Sequence, residues 1–226
     1  MAVEQRITGF VLRRYWYLEK SLLIDWLTKE RGRITASLRV KERYKIQDLS
    51  LLNGVVNGVG GILKVSNLEL SKIYSVAKRN LWMVFYLNEL LLKFLPVNEP
   101  EPLLFDAYQD TLSNLASSFE EAVIALRLFE KKILTILGYG FNFKDVTGQI
   151  LVDDKRYRFI YKRGFVETKI NSNYTFSGKS LLALANEQIT ENTLSEITRL
   201  LRYVLNLVLE GRLLRSSQIY REICHV

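Results

Sequence analysis

The chain has 226 residues, which is enough for one large domain or two small domains with a sizeable core. Its hydrophobic fraction of 48% excludes a disordered chain, and no apolar run approaches the roughly 18 residues that a membrane span needs. The N-terminal stretch lacks the apolar segment of a secretory signal peptide, so we expect a cytoplasmic protein.

The formal net charge of +8 is concentrated at the start of the chain. Residues 1–80 contain 15 Lys/Arg and 7 Asp/Glu, whereas residues 81–226 contain 17 of each class. A basic segment followed by a balanced one predicts two domains, of which the first faces a polyanion. A basic surface that serves only solubility is the alternative. We expect the domains to span residues 1–78 and 79–226.

Short strands separated by glycine turns predict a small β domain at the start of the chain. The predicted strands span residues 6–12, 21–28, 33–40, 51–57 and 62–70. Gly32 lies in a tight turn before the third strand, a charged loop at 41–50 follows it, and Gly58, Gly60 and Gly61 form the last turn. Five short strands suit a small barrel, and the OB-fold is the five-stranded type.

Basic and aromatic side chains are interleaved through this β domain. Single-stranded nucleic acid needs cations along its backbone and flat rings on which its bases stack. The candidates for binding nucleic acid are Arg13, Arg14, Tyr15, Tyr17, Lys29, Arg31, Arg33, Arg39, Lys41, Arg43, Tyr44 and Lys45. Trp16 and Trp26 have a competing interpretation as core residues, and for Trp26, which lies inside an apolar strand, we predict the core.

Three helices are predicted between residues 81 and 140. The first ends before Pro96, which lacks an N–H, and the second carries Leu104, Tyr108, Leu112 and Leu115 at helical spacing. The third begins at Ser118 with a capping box to Glu121 and ends at Gly138 and Gly140. Its predicted buried stripe consists of Phe119, Val123, Leu126, Phe129, Ile133 and Ile136.

The last part of the chain predicts a β-hairpin and two helices. The hairpin strands are expected at 156–161 and 165–170, on either side of a turn at 162–164. A short helix opens at Gly178, and a long helix follows at 190–209 and ends at Gly211. Thr193 and Glu196 predict its capping box, and its predicted buried stripe is Leu194, Ile197, Leu201, Val204 and Val208.

The sequence contains no motif that predicts catalysis or metal binding. The one histidine, His225, and the one cysteine, Cys224, are near the C-terminus, which argues against histidine acid–base catalysis and a four-cysteine zinc site. The run that begins at Gly178 is similar to the end of a phosphate-binding loop, but Asn173 stands where that loop needs glycine. We therefore expect no enzymatic activity, no cofactor and no small-molecule substrate.

An ordered set of short motifs resembles the bacterial recombination mediator family RecO over nearly the whole chain. In the helical region these motifs are Tyr86-Leu87-Asn88-Glu89-Leu90-Leu91, Glu101-Pro102, Leu104-Phe105 with Tyr108, Leu126-Arg127 with Phe129-Glu130, and Leu137-Gly138-Tyr139-Gly140. Gly9-Phe10-Val11-Leu12 and Gly32-Arg33 look like the N-terminal barrel of the family. Gly211-Arg212 with Leu214-Arg215-Ser216 resembles its C-terminal signature.

The resemblance implies an α+β fold, with an N-terminal five-stranded OB-fold barrel followed by a mainly helical domain with a small β-hairpin near 150–175. It implies a non-catalytic mediator of DNA repair and homologous recombination, located in the bacterial cytoplasm at the nucleoid. Such a protein binds ssDNA and dsDNA, anneals complementary strands, and acts with RecR and the single-stranded-DNA-binding protein SSB in recombinase loading. Many members carry a four-cysteine zinc module that this chain lacks, so zinc is not expected.

The resemblance also implies docking on the acidic C-terminal tail of SSB, which ends in a phenylalanine carboxylate. Arg127 occupies the family-like Leu-Arg-x-Phe-Glu position, and Lys131 lies one helical turn further along. Arginine can hold a carboxylate with two parallel hydrogen bonds, so Arg127 and Lys131 are the candidates for the tail site. A solvated helix face is the alternative interpretation.

Two other functions are compatible with the sequence. One is a generic OB-fold protein that binds RNA, because the contacts to the 2′-OH that separate RNA from DNA cannot be read from a sequence. The other is an interaction scaffold whose basic barrel binds an acidic protein.

Overall fold

The computed structural model describes residues 4–46, 49–58, 61–210, 212 and 214–216, with the side chains of Arg43 and Lys45 outside that description. The predictions that rest on Gly60, Gly211, Cys224 and His225 lie outside the described residues.

The described chain runs from a β domain through helices to a small sheet and two further helices. Its strands are β1 (Gln5–Tyr17), β2 (Ser21–Thr28), β3 (Gly32–Arg39), β4 (Ser50–Asn57), β5 (Ile62–Ile73), β6 (Arg156–Ile160), β7 (Gly164–Glu167) and β8 (Thr175–Ser177). Its helices are α1 (Leu81–Phe94), α2 (Pro102–Asn114), α3 (Phe119–Ile136), α4 (Gly178–Ala185) and α5 (Glu191–Val208). This order confirms the predicted α+β class.

The first five strands close into a barrel with the order β1-β2-β3-β5-β4, which is an OB-fold arrangement. All neighbouring strands are antiparallel except β3 and β5, which run parallel. Alternate residues point inward, as the two-residue period of a strand requires, and fill the barrel with apolar side chains. Trp26 is fully buried among them, as predicted.

The barrel departs from the predicted strands at three places. β1 continues past residue 12 to Tyr17, so the aromatic and basic residues at 13–17, which lie outside the predicted strand, belong to the strand itself. β5 continues to Ile73, and the charged loop contains a 3₁₀ helix, Val40–Lys45. The strand ends were missed because their side chains are exposed, which removes the apolar alternation that marks a strand.

Helices α1 and α2 confirm their predicted positions and cover one side of β1. α1 ends before Pro96, and α2 begins with Pro102 at its first turn, where a missing N–H costs nothing. Phe10 of β1 packs against the rings of Phe105 and Tyr108, at centroid distances of 5.5 and 5.2 Å. This aromatic contact joins the outer face of the barrel to α2.

α3 begins with the predicted capping box of Ser118 and Glu121, but its buried face is rotated from the predicted stripe. Phe119 is exposed, and Val123 and Ile136 are only half-buried. The buried residues of α3 are Ala122, Ala125, Leu126, Arg127, Phe129, Glu130, Ile133 and Leu134. Periodicity identified Leu126, Phe129 and Ile133 correctly, but it missed the side of the face on which Arg127 and Glu130 are buried as an ion pair.

The predicted hairpin is one edge of a three-stranded sheet with the order β7-β6-β8. β7 is shorter than predicted and ends at Glu167, and β8 was not predicted because it has only three residues. Gly178 follows β8 directly, and a Cβ there would collide with the carbonyl oxygen of Val152. Close packing therefore explains this glycine without a phosphate-binding loop.

The predicted capping box of α5 is wrong. Thr190 is the N-cap, and its N–H donates to the hydroxyl of Thr193 at 3.0 Å. Glu196 lies beyond the first turn and instead accepts hydrogen bonds from Ser177. The predicted stripe is correct at Ile197, Leu201 and Val204, whereas Leu194 and Val208 are half-buried.

The chain divides into two compact units. Unit 1 contains residues 1–117 and 214–226, and unit 2 contains residues 118–213. Unit 1 thus holds the barrel with α1 and α2, and unit 2 holds α3, the small sheet, α4 and α5. The predicted domains at 1–78 and 79–226 follow the end of the barrel instead, and they stay a prediction.

Candidate nucleic-acid interface

Strand register places part of β1 at one mouth of the barrel. Trp16 pairs with Leu22, and Arg14 pairs with Ile24. Directly paired residues on antiparallel strands point to the same face, and Leu22 and Ile24 belong to the barrel core. Trp16 and Arg14 therefore continue the inward-facing row beyond the point where the core ends.

A half-open cleft of about 470 Å³ lies at this mouth. It is lined by Arg14, Tyr15, Trp16, Leu22 and Tyr44. Leu22 is buried and contributes to the floor, while the 3₁₀ helix that follows β3 supplies Tyr44. The cleft combines a cation with aromatic rings over an apolar floor, which is the chemistry that a nucleobase with its phosphate requires.

The two tryptophans with competing interpretations have opposite environments. Trp26 is 0% exposed, whereas Trp16 is 65% exposed, so the core interpretation is wrong for Trp16. Tyr15 and Tyr17 are partly exposed, and Tyr44 is exposed to 72%. Trp16 is the aromatic residue that the sequence-based candidates omitted. Its neighbours Arg14 and Tyr15 are polar or amphipathic, which is the signal that could have separated it from Trp26.

Arg13 has a structural partner that the sequence did not reveal. Its Nε and Nη2 lie 2.8 and 2.7 Å from Oδ2 of Asp25, which is buried and also accepts a hydrogen bond from Thr35. The guanidinium group sits 5.2 Å from the ring centroid of Tyr15. Arg13 compensates a buried carboxylate, so part of its charge is already used inside the protein.

Three of the candidate cations face away from the cleft or are partly buried. Lys29 forms an ion pair with Asp106 of α2 at 3.1 Å, and Nε of Arg33 donates to the carbonyl oxygen of Leu95 at 3.0 Å. Arg31 is half-buried. Lys29 and Arg33 hold the barrel against the helices of unit 1, so the structure does not bring them to the cleft.

Arg39 and Lys41 are exposed at the end of β3, near the barrel mouth. Arg39 pairs with Ser21, which in turn pairs with Tyr17 of β1. Both cations therefore lie at the same end of the barrel as the aromatic residues of β1. The side chains of Arg43 and Lys45 lie outside the described residues, so their predicted role stays a prediction.

A second cleft on the barrel has a different charge. It measures about 420 Å³, and its lining includes Arg6, Thr8, Asn53, Glu30 and Glu69. Glu30 accepts a hydrogen bond from the N–H of Thr8 at 2.9 Å. Two carboxylates against one guanidinium disfavour a phosphate backbone, which separates this cleft from the one at the barrel mouth.

The candidates for the tail site are not on a solvated helix face. Arg127 is 6% exposed, and its Nη2 lies 2.9 Å from Oε1 of the fully buried Glu130. Lys131 is half-buried, and its Nζ lies 2.9 Å from the exposed carboxylate of Glu187 and 3.0 Å from the carbonyl oxygen of Ala185. The alternative interpretation, a solvated helix face, is therefore wrong for Arg127.

The residues that carried the resemblance have specific contacts in unit 1. Nδ2 of Asn88 donates to the carbonyl oxygen of Leu12, and its Oδ1 accepts from the hydroxyl of Tyr108 at 2.7 Å. The carboxylate of Glu89 accepts hydrogen bonds from the backbone N–H groups of Arg215 and Ser216. The sequence did not predict that these two motifs meet.

Metal and membrane features can be stated for the described residues only. Within these ranges no group of three or more His, Cys, Asp or Glu side chains could hold a metal ion. None of the described helices has the length and apolar character of a membrane-spanning segment.

The chain is similar in sequence to one protein family, both in its C-terminal region and over nearly its whole length. The family model for the C-terminal region of recombination protein O matches residues 79–218. A DNA repair protein RecO from Glaesserella parasuis is 32% identical over 98% of this chain and 97% of its own length. The chain belongs to the RecO family. A Coxiella burnetii RecO is 35% identical over 93% of this chain and 95% of its own length, and an Actinobacillus succinogenes RecO is 33% identical over 97% of both.

Membership in the RecO family gives the chain a role in DNA repair and recombination. The family match begins at residue 79, directly after the barrel and in the 3₁₀ helix that leads into α1. The curated relatives align with the barrel as well, since the aligned regions cover nearly all of the chain.

Proposed function

We propose that this RecO-family protein is a non-catalytic mediator that binds single- and double-stranded DNA at the barrel mouth and anneals complementary strands. The aromatic cleft that contains Trp16, Tyr44 and Arg14 is the observation that carries the proposal. Stacking on an aromatic side chain contributes about 1–3 kcal/mol per base and is largely independent of sequence. A protein that anneals arbitrary complementary strands needs that independence.

The stacking role is tested by truncating the exposed rings one at a time. Trp16→Ala and Tyr44→Ala should each weaken binding of a fluorescent oligo(dT) by roughly 5- to 150-fold, the equivalent of 1–3 kcal/mol. The matched control is Phe85→Ala, which removes an exposed ring from α1 that does not line the cleft. Affinities equal to that of the control would remove the cleft from the proposal.

The phosphate contacts are tested by charge reversal and salt dependence. The affinity for single strands falls as salt rises, and the logarithm of the binding constant falls linearly with the logarithm of the salt concentration. Arg39→Glu combined with Lys41→Glu should make this slope shallower by roughly 0.7 per lost contact. Lys78→Glu combined with Arg79→Glu makes the same change of net charge at exposed positions between the barrel and α1. Equal slopes for the two double variants would mean that overall charge, and not the barrel mouth, drives binding.

The expected partners SSB and RecR belong to the same proposal. For the SSB tail, the ion pair between Lys131 and Glu187 supports a carboxylate-binding role of Lys131, because an exposed carboxylate of this chain already binds the lysine. We expect the terminal carboxylate of an acidic tail peptide to replace Glu187 there. We also expect RecR to bind this RecO-family chain. Co-migration of the two proteins in size-exclusion chromatography tests that expectation.

The tail site is tested with two substitutions that have opposite expected effects. Lys131→Gln should weaken binding of a fluorescent tail peptide, whereas Glu187→Gln should strengthen it, because the competing carboxylate is removed. Arg127→Glu is not a clean test, because it would place a second carboxylate beside the buried Glu130 and destabilise unit 2. Unchanged peptide affinity in both glutamine variants would exclude Lys131 from the site.

Competition between ssDNA and RNA of the same sequence distinguishes the proposed function from a generic RNA-binding barrel, since only RNA carries the 2′-OH.

A cytoplasmic location at the nucleoid and the absence of enzymatic activity follow from the proposed role, and both stay predictions.

A further inference from the structure

Unit 2 contains a strongly basic segment that the charge balance of the sequence conceals. Residues 155–169 contain six Lys/Arg and one Asp/Glu, although residues 81–226 as a whole are neutral. The segment forms β6, β7 and the turn between them. A charge count over residues 81–226 conceals this positive segment, because the acidic residues that balance it lie elsewhere in that range.

The ion pairs of unit 2 separate these cations into two groups. Lys155 pairs with Glu167 at 2.8 Å, and Arg156 pairs with Glu196 at 3.0 Å, so both are used within the fold. Four others are exposed and form no ion pair with any residue in the described part of the chain, namely Arg158, Lys162, Arg163 and Lys169. The turn of the hairpin therefore presents unpaired positive charge.

Two tyrosines form an aromatic stack at the same turn. The rings of Tyr139 and Tyr161 are nearly parallel, with 20° between their planes and 6.5 Å between their centroids. Tyr139 is 41% exposed, and Nζ of Lys162 lies 5.5 Å from the centroid of Tyr161. A ring surface that continues an aromatic stack into solvent, with a cation beside it, can accept a further flat group.

The hairpin holds this surface on a packed base. Phe159 and Phe165 lie opposite each other on β6 and β7, with ring centroids 5.3 Å apart, and Phe141 packs on both. The turn is closed by a hydrogen bond from the N–H of Arg163 to the carbonyl oxygen of Ile160. The side chains at the tip therefore extend from an ordered element.

We infer that the β6–β7 tip is a second surface for single-stranded DNA, with Tyr139 stacking on a base and Lys162 and Arg163 contacting phosphates. The inference rests on the proposed annealing function and adds to it a site outside the barrel. An exposed ring, stacked on a second half-buried ring and next to cations without ion-pair partners, supplies the elements of a sequence-independent single-strand site. An annealing protein with two such sites can hold two segments of DNA at the same time.

Photocrosslinking locates the surface directly. The full chain is irradiated with an oligo(dT) that carries 5-iodouracil, and crosslinked peptides are identified by mass spectrometry. We expect crosslinks at Tyr139 or Tyr161 in addition to those at Trp16 or Tyr44. Crosslinks confined to the barrel residues would overturn the inference and leave the proposed function intact.

Charge reversal measures what the surface contributes. Lys162→Glu combined with Arg163→Glu should slow annealing of bare complementary strands at least about tenfold and remove the crosslinks of the tip. The matched control is Lys179→Glu combined with Arg202→Glu, two exposed positions of unit 2 outside the hairpin. Annealing equal to that of the control would refute the second site. A wild-type protein that neither binds nor anneals DNA would instead refute the proposed function.

An acidic peptide is the alternative ligand for a surface with cations and aromatic rings. If an unlabelled acidic peptide ending in phenylalanine displaces the oligonucleotide from the tip crosslinks and binds there more tightly than oligo(dT), the surface is a protein-binding site and the inference is wrong. Displacement by oligo(dT) but not by the peptide supports single-stranded DNA.

Discussion

Gly9 and Gly54 lie on either side of the indole ring of Trp26 in the barrel core. A Cβ at Gly9 would stand 2.6 Å from Nε1 of Trp26 and would collide with the carbonyl oxygen of Leu27, and a Cβ at Gly54 would lie 3.0 Å from the ring. Close approach therefore requires the glycine at position 9 and leaves little space for a side chain at Gly54, and neither glycine has a positive φ. They allow a large aromatic side chain to fill a small barrel.

Substitution at Gly9 should test this packing. Gly9→Ala is expected to destabilise the protein by about 1–3 kcal/mol, because the backbone of β2 has no space to yield. Gly61→Ala is the control, since a Cβ there meets no atom within 4 Å, and it should be neutral or slightly stabilising. Urea unfolding gives both free energies. Equal values for the two variants would contradict the packing argument.

Single residues also decide which cations are available for the proposed contacts with DNA. Arg13 and Lys29 look equivalent to Arg39 and Lys41 in the sequence, but Arg13 pairs with the buried Asp25 and Lys29 with Asp106. The sequence supplies the charges, and their partners come from residues that are distant along the chain. A prediction from composition alone therefore overestimates the number of cations without an ion-pair partner.

At the scale of elements, Glu89 of α1 fixes the segment that returns from unit 2 to unit 1. Its carboxylate accepts the N–H groups of Arg215 and Ser216 and the hydroxyl of Ser216, at 3.0, 2.9 and 2.6 Å. Burial raises the pKa of Glu89, but the hydrogen bonds from Ser216 and Arg215 and the charge of Lys93 outweigh it, so its pKa lies below the ordinary value.

This contact predicts a dependence of stability on pH. Because the folded pKa of Glu89 lies below its ordinary value of 4.5, the contribution of Glu89 to stability is fully present above about pH 4.5 and is lost as the pH falls through the folded pKa. Glu89→Gln should cost about 1–3 kcal/mol at neutral pH, since charged hydrogen bonds are lost. The difference from wild type in urea unfolding should shrink at acid pH. A difference that is independent of pH would contradict the role of the carboxylate.

Glu196 links its own helix, α5, to the end of β8 and the start of α4. Its Oε2 accepts from the N–H and the hydroxyl of Ser177, which caps α4, and its Oε1 pairs with Arg156 of β6. Glu196→Ala should destabilise unit 2 by about 1–3 kcal/mol, because Arg156 loses its ion pair and Ser177 loses two hydrogen bonds. Glu191→Ala, at an exposed position in the same helix, should change stability by less than about 1 kcal/mol. Thermal unfolding of the two variants compares them.

At the scale of the whole molecule, we expect folding without a metal ion. The sequence has a single cysteine, and the described ranges contain no group of three potential ligands. Treatment with a chelator should leave the unfolding midpoint unchanged, and elemental analysis should find no stoichiometric zinc. Zinc that is lost together with the fold would refute this expectation.

Much of the fold could be predicted from the sequence, because it depends on local periodicity and on residues that end elements. Pro96, the capping box at Ser118 and the apolar run of β2 each act within a few neighbouring residues, so α1, α3 and β2 were placed within a few residues of their observed ends. Strand β8 was missed because three residues carry no period. The α5 cap was misassigned because two threonines and a glutamate offered two possible boxes within one turn.

The sequence by itself determined the family, the order of the elements, the barrel class and the excess of positive charge in the first third of the chain. Only the tertiary structure decided which of those charges are already paired, because ion pairs such as Arg13 with Asp25 and Lys29 with Asp106 join residues that are distant along the chain. It also decided that Trp16 is exposed while Trp26 is buried, since strand register and the end of the core lie beyond local pattern. Local chemistry specifies the elements, and the candidate site exists only where the barrel core ends and leaves rings and a cation partly exposed over Leu22.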